Sequence, residues 1–272
     1  MPIHFQQHPG LVVYLTAGDN GLQADASRIA RGDLCFTRNI ALAAIDAGAD
    51  VIELGVPFSD PMADGPIIQR ASERALQAGT RLADVLRLAA ELRRERPHAG
   101  IILFSYLNPI LRFGMARFAD EAAAAGADGV LLTDMIVEEA DEYLAQMKRT
   151  GLCPVFLAAP TSPDSRLEAI AAHSAGFVYA ISRTGITGKQ KQLTGDAAAL
   201  VERIRRWTRL PVAVGFGISN AEHVAQVGQF ADAAVIGSAI VERIERSDPS
   251  QAAEEVSRFI KGLRQPQLAQ AL

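Results

Sequence analysis

Short apolar runs alternate with longer amphipathic stretches along the whole chain. The apolar runs predict strands at 11–16, 51–54, 101–104, 129–133, 155–157, 177–180, 212–214 and 234–236. Most are continuously apolar, as in parallel strands covered on both faces. The stretches between them are periodic. In 82–94, Val85, Leu86, Ala89 and Leu92 fall on one side of a helix over an Arg/Glu face. The same pattern recurs at 115–125, 138–149, 164–172, 197–207, 221–227 and 251–263. Ala-Gly-Ala-Asp occurs at 47–50 and again at 125–128, each time just before a strand. There glycine ends a helix and the chain turns into the sheet. Eight β-then-α units of roughly 30 residues predict an α/β fold, the TIM (β/α)8 barrel. The rival, an open doubly wound sheet, lacks its first-strand Gly-x-Gly-x-x-Gly fingerprint here. The pattern gives a single domain over 1–272, with an extended segment after the first strand at about 20–36 and a loose tail at 265–272.

Composition narrows the class. The 272 residues suit one barrel, and 49% hydrophobic residues supply a sizeable core. A net charge of −4 is too small and of the wrong sign for a nucleic-acid surface. Cys35 and Cys153 have neither metal-ligand spacing nor the density of a disulfide framework. The first ten residues are polar, and no run approaches the roughly 20 apolar residues of a membrane span. The expectation is a cytoplasmic protein with no membrane contact.

In a barrel, chemistry sits at the C-terminal ends of the strands. There the sequence places Glu53 in an apolar strand, followed by a loop with three prolines and the acids Asp60 and Asp64. Flanked by Ile52 and Leu54, Glu53 is expected in an apolar pocket that raises its pKa toward the range useful for proton transfer. The alternative is a structural glutamate tied to a lysine or a backbone amide. Asp60 and Asp64 also read as turn-formers. A second group, Gly215-Phe216-Gly217 and Gly237-Ser238, closes the last two strands, with Gly185 to Gly188 after the sixth. Singly these are turn glycines; together they suit a phosphate held by loop amides and a helix N-terminus. Tyr14, Phe104, Tyr106, Tyr179 and Phe216 lie at or near strand ends and could wall an aromatic pocket, though each alone suits core packing.

Taken together, these residues resemble the tryptophan synthase α-subunit family, the indole-3-glycerol-phosphate lyases. The likeness runs from about Leu11 to about Arg243 and is most specific in Glu-Leu-Gly-Val-Pro-Phe-Ser-Asp-Pro-Met-Ala-Asp-Gly-Pro, 53–66. Tyr-Leu-Thr-Ala-Gly-Asp at 14–19, Tyr-Leu-Asn-Pro at 106–109, Ser-Arg-Thr-Gly-Ile-Thr-Gly at 182–188 and the two later glycine loops extend it. The resemblance implies retro-aldol cleavage of indole-3-glycerol phosphate without metal or cofactor. It implies Glu53 as general acid/base and Asp64 facing the indole N–H. Gly188, Phe216, Gly217, Gly237 and Ser238 would hold phosphate. Tyr14, Phe104, Tyr106 and Tyr179 would line the pocket, and Arg183 and Thr187 would belong to a closing loop. It also implies a pyridoxal-phosphate β subunit as partner, in an αββα heterotetramer. Alternatives are a stand-alone indole-releasing lyase, a paralogue acting on a related indole glycerol phosphate, another phosphate-binding barrel, and a non-catalytic partner of a β subunit. The chain departs from the family pattern in extra residues at about 22–34, in Asn20 where proline is usual, in Ile136 in place of the proline expected after Asp134, and in a short N-terminal segment. These departures bear on docking more than on chemistry, because both acids are present.

Overall fold

A computed structural model describes residues 3–22, 32–181, 190–215 and 217–264. The chain opens with β1 (Gly10–Thr16), α1 (Cys35–Asp46), β2 (Val51–Gly55), α2 (Pro66–Gln77) and α3 (Leu82–Glu95). Next come β3 (Gly100–Ser105), α4 (Leu107–Phe113), α5 (Met115–Ala124), β4 (Gly129–Leu132) and α6 (Asp141–Thr150). β5 (Cys153–Val155), β6 (Leu157–Ala158), α7 (Asp164–His173), β7 (Val178–Ile181) and α8 (Gln190–Arg205) follow. The last elements are β8 (Val212–Gly215), α9 (Ala221–Val227), β9 (Ala233–Ile236), α10 (Ser238–Arg246) and α11 (Ala252–Arg264).

All strand pairs are parallel, in the order β5-β4-β3-β2-β1-β9-β8-β7-β6. The two ends of that order, β5 and β6, are consecutive in the chain and separated only by Phe156. The sheet therefore closes on itself through one broken strand, and the expected eight-stranded barrel stands. The break corrects the continuous fifth strand expected at 155–157. Its cause is Pro154, whose carbonyl faces the β7 side, where it accepts the Ala175 N–H at 2.8 Å. Its nitrogen faces the same side and has no proton to give. Pairing with β7 resumes only at Leu157.

Side chains alternate along each strand. Val12, Val51, Ile102, Leu131, Val155, Ala213, Ala233 and Val235 turn into the barrel. Leu11, Val13, Leu15, Ile52, Leu54, Ile101 and Leu103 turn outward, into the layer shared with the helices. Below the strands, Ile3 and Phe5 pack with Phe177 and close the barrel floor. The polar-looking N-terminus thus carries a plug that its composition concealed.

α4 was not expected, because the hydrophobic pattern gives no helix between 94 and 115. Proline is tolerated in a first helical turn, and Asp134 Oδ1 accepts the Leu107 N–H there at 2.8 Å. α6 starts at Asp141, later than expected, because Val137–Glu139 form a 3-10 turn. α8 starts at Gln190, earlier than its hydrophobic pattern began. Most of the extra segment after β1, residues 23–31, lies outside the described residues, as does the tail at 265–272. Its described flanks are tied down: Leu22 N–H donates to Glu245 and Gly32 N–H to Ala78, both carbonyls at 3.3 Å. Among the described residues, no helix is long and apolar enough to cross a membrane.

Candidate active site

Two-residue periodicity puts Glu53 inside the barrel, one step above Val51. The apolar neighbours expected to form its pocket, Ile52 and Leu54, point the other way, into the helix layer. The surroundings of Glu53 come instead from other strands. It lies level with Tyr14 on β1 and Ile102 on β3. It borders a cavity of about 230 Å³ that also meets Tyr14, Asp64, Phe104, Leu157, Tyr179 and Val235. Gly215, Gly217, Gly237 and Ser238 line the same cavity, with Ala63, Ile68, Thr133 and Ile181.

Glu53 is fully buried, and neither carboxylate oxygen has a hydrogen-bond partner among the described residues. Among the described residues, then, neither a lysine nor an amide ties this glutamate. Burial alone pushes its pKa up to about 8. Asp64 is half-buried. Burial raises its pKa to about 6, against the opposing effect of a hydrogen bond from Tyr106. That bond is 3.0 Å long, from the Tyr106 hydroxyl to Asp64 Oδ2, and the same hydroxyl accepts the Ala63 N–H at 2.9 Å. Tyr106 therefore acts on the cavity from behind Asp64. Burial, then the neighbouring carboxylates, hold the phenols of Tyr14 and Tyr179 well above the usual tyrosine range.

The two loop acids part company. Asp60 is exposed beside Ser59, on an open depression of about 1000 Å³ along the outside of α2. This depression is the larger of the two, but its acids, Asp60 and Glu73, are both exposed. The buried carboxylate, without a partner among the described residues, lies in the barrel mouth, which makes that cavity the candidate site.

Asp19, the acid after β1, is spent on a different task. Its carboxylate takes both Nε (2.7 Å) and Nη2 (2.9 Å) of Arg74 on α2. Arg74 Nη1 reaches Glu245 on α10 at 2.8 Å, and Arg70 adds two bonds to Glu245 at 2.9 Å. These hydrogen bonds, Arg70's foremost, hold the Glu245 pKa down to about 2. The network locks α2, which follows the Asp64 loop, to α10, whose N-terminus opens on the cavity at Gly237 and Ser238.

The other half of the cavity is built largely from glycine backbone. Gly217 has φ +69°, the left-handed region that favours glycine. An added Cβ at Gly237 would meet Tyr14 at 3.6 Å and Ile68 at 3.8 Å, ordinary packing contacts beside the start of α10. Uncompensated N–H groups at a helix start attract an anion.

The structure thus gathers Glu53, Asp64, Tyr14, Phe104, Tyr179, Gly217, Gly237 and Ser238 around one cavity. Arg183, Thr187, Gly188 and Phe216 lie outside the described residues. Leu157, Ile181, Val235, Thr133 and Ile68 were not anticipated as walls. A signal for the strand residues was present. Counting by twos from the interior residues Leu131, Val155, Phe177 and Ala233 reaches Thr133, Leu157, Ile181 and Val235.

Comparison with known proteins agrees with this geometry. The family model described as tryptophan synthase alpha chain matches residues 3–269. The tryptophan synthase alpha chain of Solibacter usitatus is 49% identical over 260 residues, 95% of this chain and 92% of the relative. That of Nitrosococcus oceani is 47% identical over 262 residues, covering 96% and 92%. Among solved structures, a chain of the tryptophan synthase a2b2 complex from Pyrococcus furiosus superposes with a TM-score of 0.81 at 38% identity, covering 94% of this chain and 98% of that one. A chain of aminoacrylate-bound tryptophan synthase from M. tuberculosis gives 0.80 at 33% identity, covering 94% of each. With its barrel, its buried strand-end acid and its sequence all in agreement, the chain belongs to the tryptophan synthase alpha chain family.

Proposed function

We propose that this protein cleaves indole-3-glycerol phosphate to indole and glyceraldehyde 3-phosphate. The observation that carries the reading is Glu53: buried, without a partner for either oxygen, and set in a cavity whose other end is the start of α10. The whole chain, 1–272, acts as one barrel domain, and the cytoplasm is its compartment.

Phosphate sits on the amides of Gly217, Gly237 and Ser238, and the indole ring lies among Phe104, Tyr179 and Leu157. At neutral pH Glu53 is protonated and Asp64 is ionised, in keeping with pKa values near 8 and 6. Glu53 gives its proton to indole C3. The ring becomes cationic, and Asp64 accepts a hydrogen bond from the ring N–H and stabilises that charge. Such preorganised electrostatic help is worth about 3 kcal/mol for one group. The C3–C bond then breaks and its electron pair returns to the ring. The hydroxyl on the departing carbon yields its proton to the Glu53 carboxylate and becomes the aldehyde. Glu53 ends protonated, ready for the next turnover. Arg183, Thr187, Gly188 and Phe216 keep the roles the family pattern suggests, loop closure and phosphate binding. The chemistry uses side chains alone.

The partner is a β subunit that consumes the indole, as in the a2b2 complex named for the Pyrococcus furiosus relative. Exposed Met62, Leu111 and Ile136 support this, each on a connection leaving a strand's C-terminal end. Indole release from indole-3-glycerol phosphate tests the reading, with the purified chain alone and with a tryptophan synthase β subunit. Release that rises with the β subunit is expected. Absence of release in both, from folded protein, would overturn it.

A further inference from the structure

Tyr14 stands where the two ends of the site meet. On β1 it is level with Glu53 of β2. Its Cβ lies 3.6 Å from the position a Cβ at Gly237 would take, beside the start of α10. A substrate anchored by its ring near Glu53 and by its phosphate at α10 must pass its polyol chain along Tyr14.

The hydroxyl is placed with care. The ring packs edge-on against Phe104, with centroids 5.0 Å apart and planes at 75°. The phenol oxygen lies over Gly55, where an added Cβ would sit only 2.2 Å away. A side chain at 55 would expel it. Thr16, two residues along β1, donates its hydroxyl to Tyr14 Oη at 3.3 Å. Two hydroxyls that share one hydrogen bond keep one proton to give, and among the described residues nothing accepts it. Burial and the nearby carboxylates keep the phenol protonated. A buried donor without an acceptor is expensive, and Tyr14 is one of the residues that line the cavity.

We propose that the Tyr14 hydroxyl, steadied by Thr16, donates a hydrogen bond to the middle hydroxyl of the substrate's three-carbon chain, the one on the carbon beside the phosphate-bearing carbon. The proposal rests on the lyase reading above. It makes Tyr14 a specificity-determining residue as well as part of an aromatic wall. The other chain hydroxyl is committed to Glu53, which takes its proton. The middle one changes no bond during cleavage, yet it enters a water-poor cavity and needs a partner. A site built to bond a hydroxyl rejects the analogue that lacks it.

The test pairs a residue deletion with a substrate deletion. Wild type and Tyr14→Phe are assayed for indole release from indole-3-glycerol phosphate and from its analogue lacking the middle hydroxyl. The analogue can still undergo retro-aldol cleavage, because the hydroxyl on the ring-bearing carbon is retained. With the natural substrate, Tyr14→Phe lowers kcat/KM by about tenfold or more. With the analogue, wild type and variant are equal within about twofold. Thr16→Val, which keeps the phenol but frees its orientation, gives a smaller loss, and adding it to Tyr14→Phe changes nothing further. Equal losses on both substrates would assign the phenol to packing and overturn the proposal, as would no loss on either. If wild type releases indole from neither compound, the lyase reading itself falls and takes this proposal with it.

Discussion

The Tyr106 hydroxyl donates to Asp64 Oδ2 at 3.0 Å, so a phenol at the end of one strand aims an acid on the loop of its neighbour. The same oxygen receives the Ala63 N–H, which fixes the loop one residue before the acid. This bond favours the ionised form of Asp64 and opposes the upward push of burial. Tyr106→Phe therefore raises the Asp64 pKa above its value of about 6. In a pH–rate study the acid limb of kcat/KM moves upward. The plateau drops on the order of tenfold, the weight of a hydrogen bond to a charged group. An acid limb that stays in place would mean that Asp64 does not set it.

Glu53 and Asp64 together predict a bell-shaped profile. In the proposed mechanism cleavage needs Asp64 ionised and Glu53 protonated, so kcat/KM is expected to fall below about pH 6 and above about pH 8. Glu53→Gln abolishes turnover and keeps substrate binding. It also stabilises the protein. The folded pKa of Glu53 is raised from 4.5 to about 8, so the folded state holds a proton that the unfolded state gives up across that window. Wild-type stability is thus lost relative to the Gln variant as pH rises from 4.5 to 8, at up to ~1.4 kcal/mol per pH unit. Urea midpoints of the two proteins should coincide at pH 4 and diverge toward pH 8.

Gly237→Asp separates stability from binding. A Cβ at this position makes only ordinary contacts, and an acid at a helix start is electrostatically favourable to within about 1 kcal/mol. The melting temperature holds or rises. Phosphate affinity falls by more than about tenfold, because a fixed negative charge occupies the anion's place. Titration with glyceraldehyde 3-phosphate, followed by calorimetry, reads both quantities on one sample. Unchanged affinity would remove phosphate from this loop.

Arg74 and Arg70 differ sharply in weight although both pair with Glu245. Arg74 is largely buried between Asp19 and Glu245, whereas the Arg70 side chain is 49% exposed. Arg74→Ala strands the buried Asp19 carboxylate and leaves Glu245 only its half-exposed partner Arg70, and costs about 3–5 kcal/mol. Arg70→Ala leaves Glu245 with Arg74 and costs under about 1 kcal/mol. Urea denaturation at pH 7 compares them, and equal losses would contradict the burial argument.

The barrel was legible because parallel strands buried on both faces leave unbroken apolar runs, such as Leu11-Val12-Val13 and Ile101-Ile102-Leu103. Glu53 was legible because it interrupts one of these runs. Its reason was misread. Ile52 and Leu54 adjoin it in sequence but face the helices, and the residues that desolvate it come from other strands. Pro154 hides its effect, because a proline breaks pairing on only the side its nitrogen faces. α4 was invisible because the group that anchors its first turn, Asp134, lies far along the chain. The buried pairing of Asp19 and Glu245 through Arg74 was illegible for the same reason. Each ion belongs to a different βα unit, and nothing local tells an acid that meets substrate from one that meets arginine.

The closed ring also sets a schedule. β1 pairs with β2 on one side and with β9 on the other, and Arg264 at the end of α11 donates to Pro9 and Gly48 carbonyls and to Asp50. During synthesis the first strand leaves the ribosome with one edge bare, and that edge stays bare until residues 233–236 emerge. The guanidinium that rivets the floor of the barrel arrives later still. A nascent chain of this protein carries an unsatisfied strand edge through almost its entire translation, so premature termination anywhere before β9 yields an open, sticky sheet rather than a smaller enzyme.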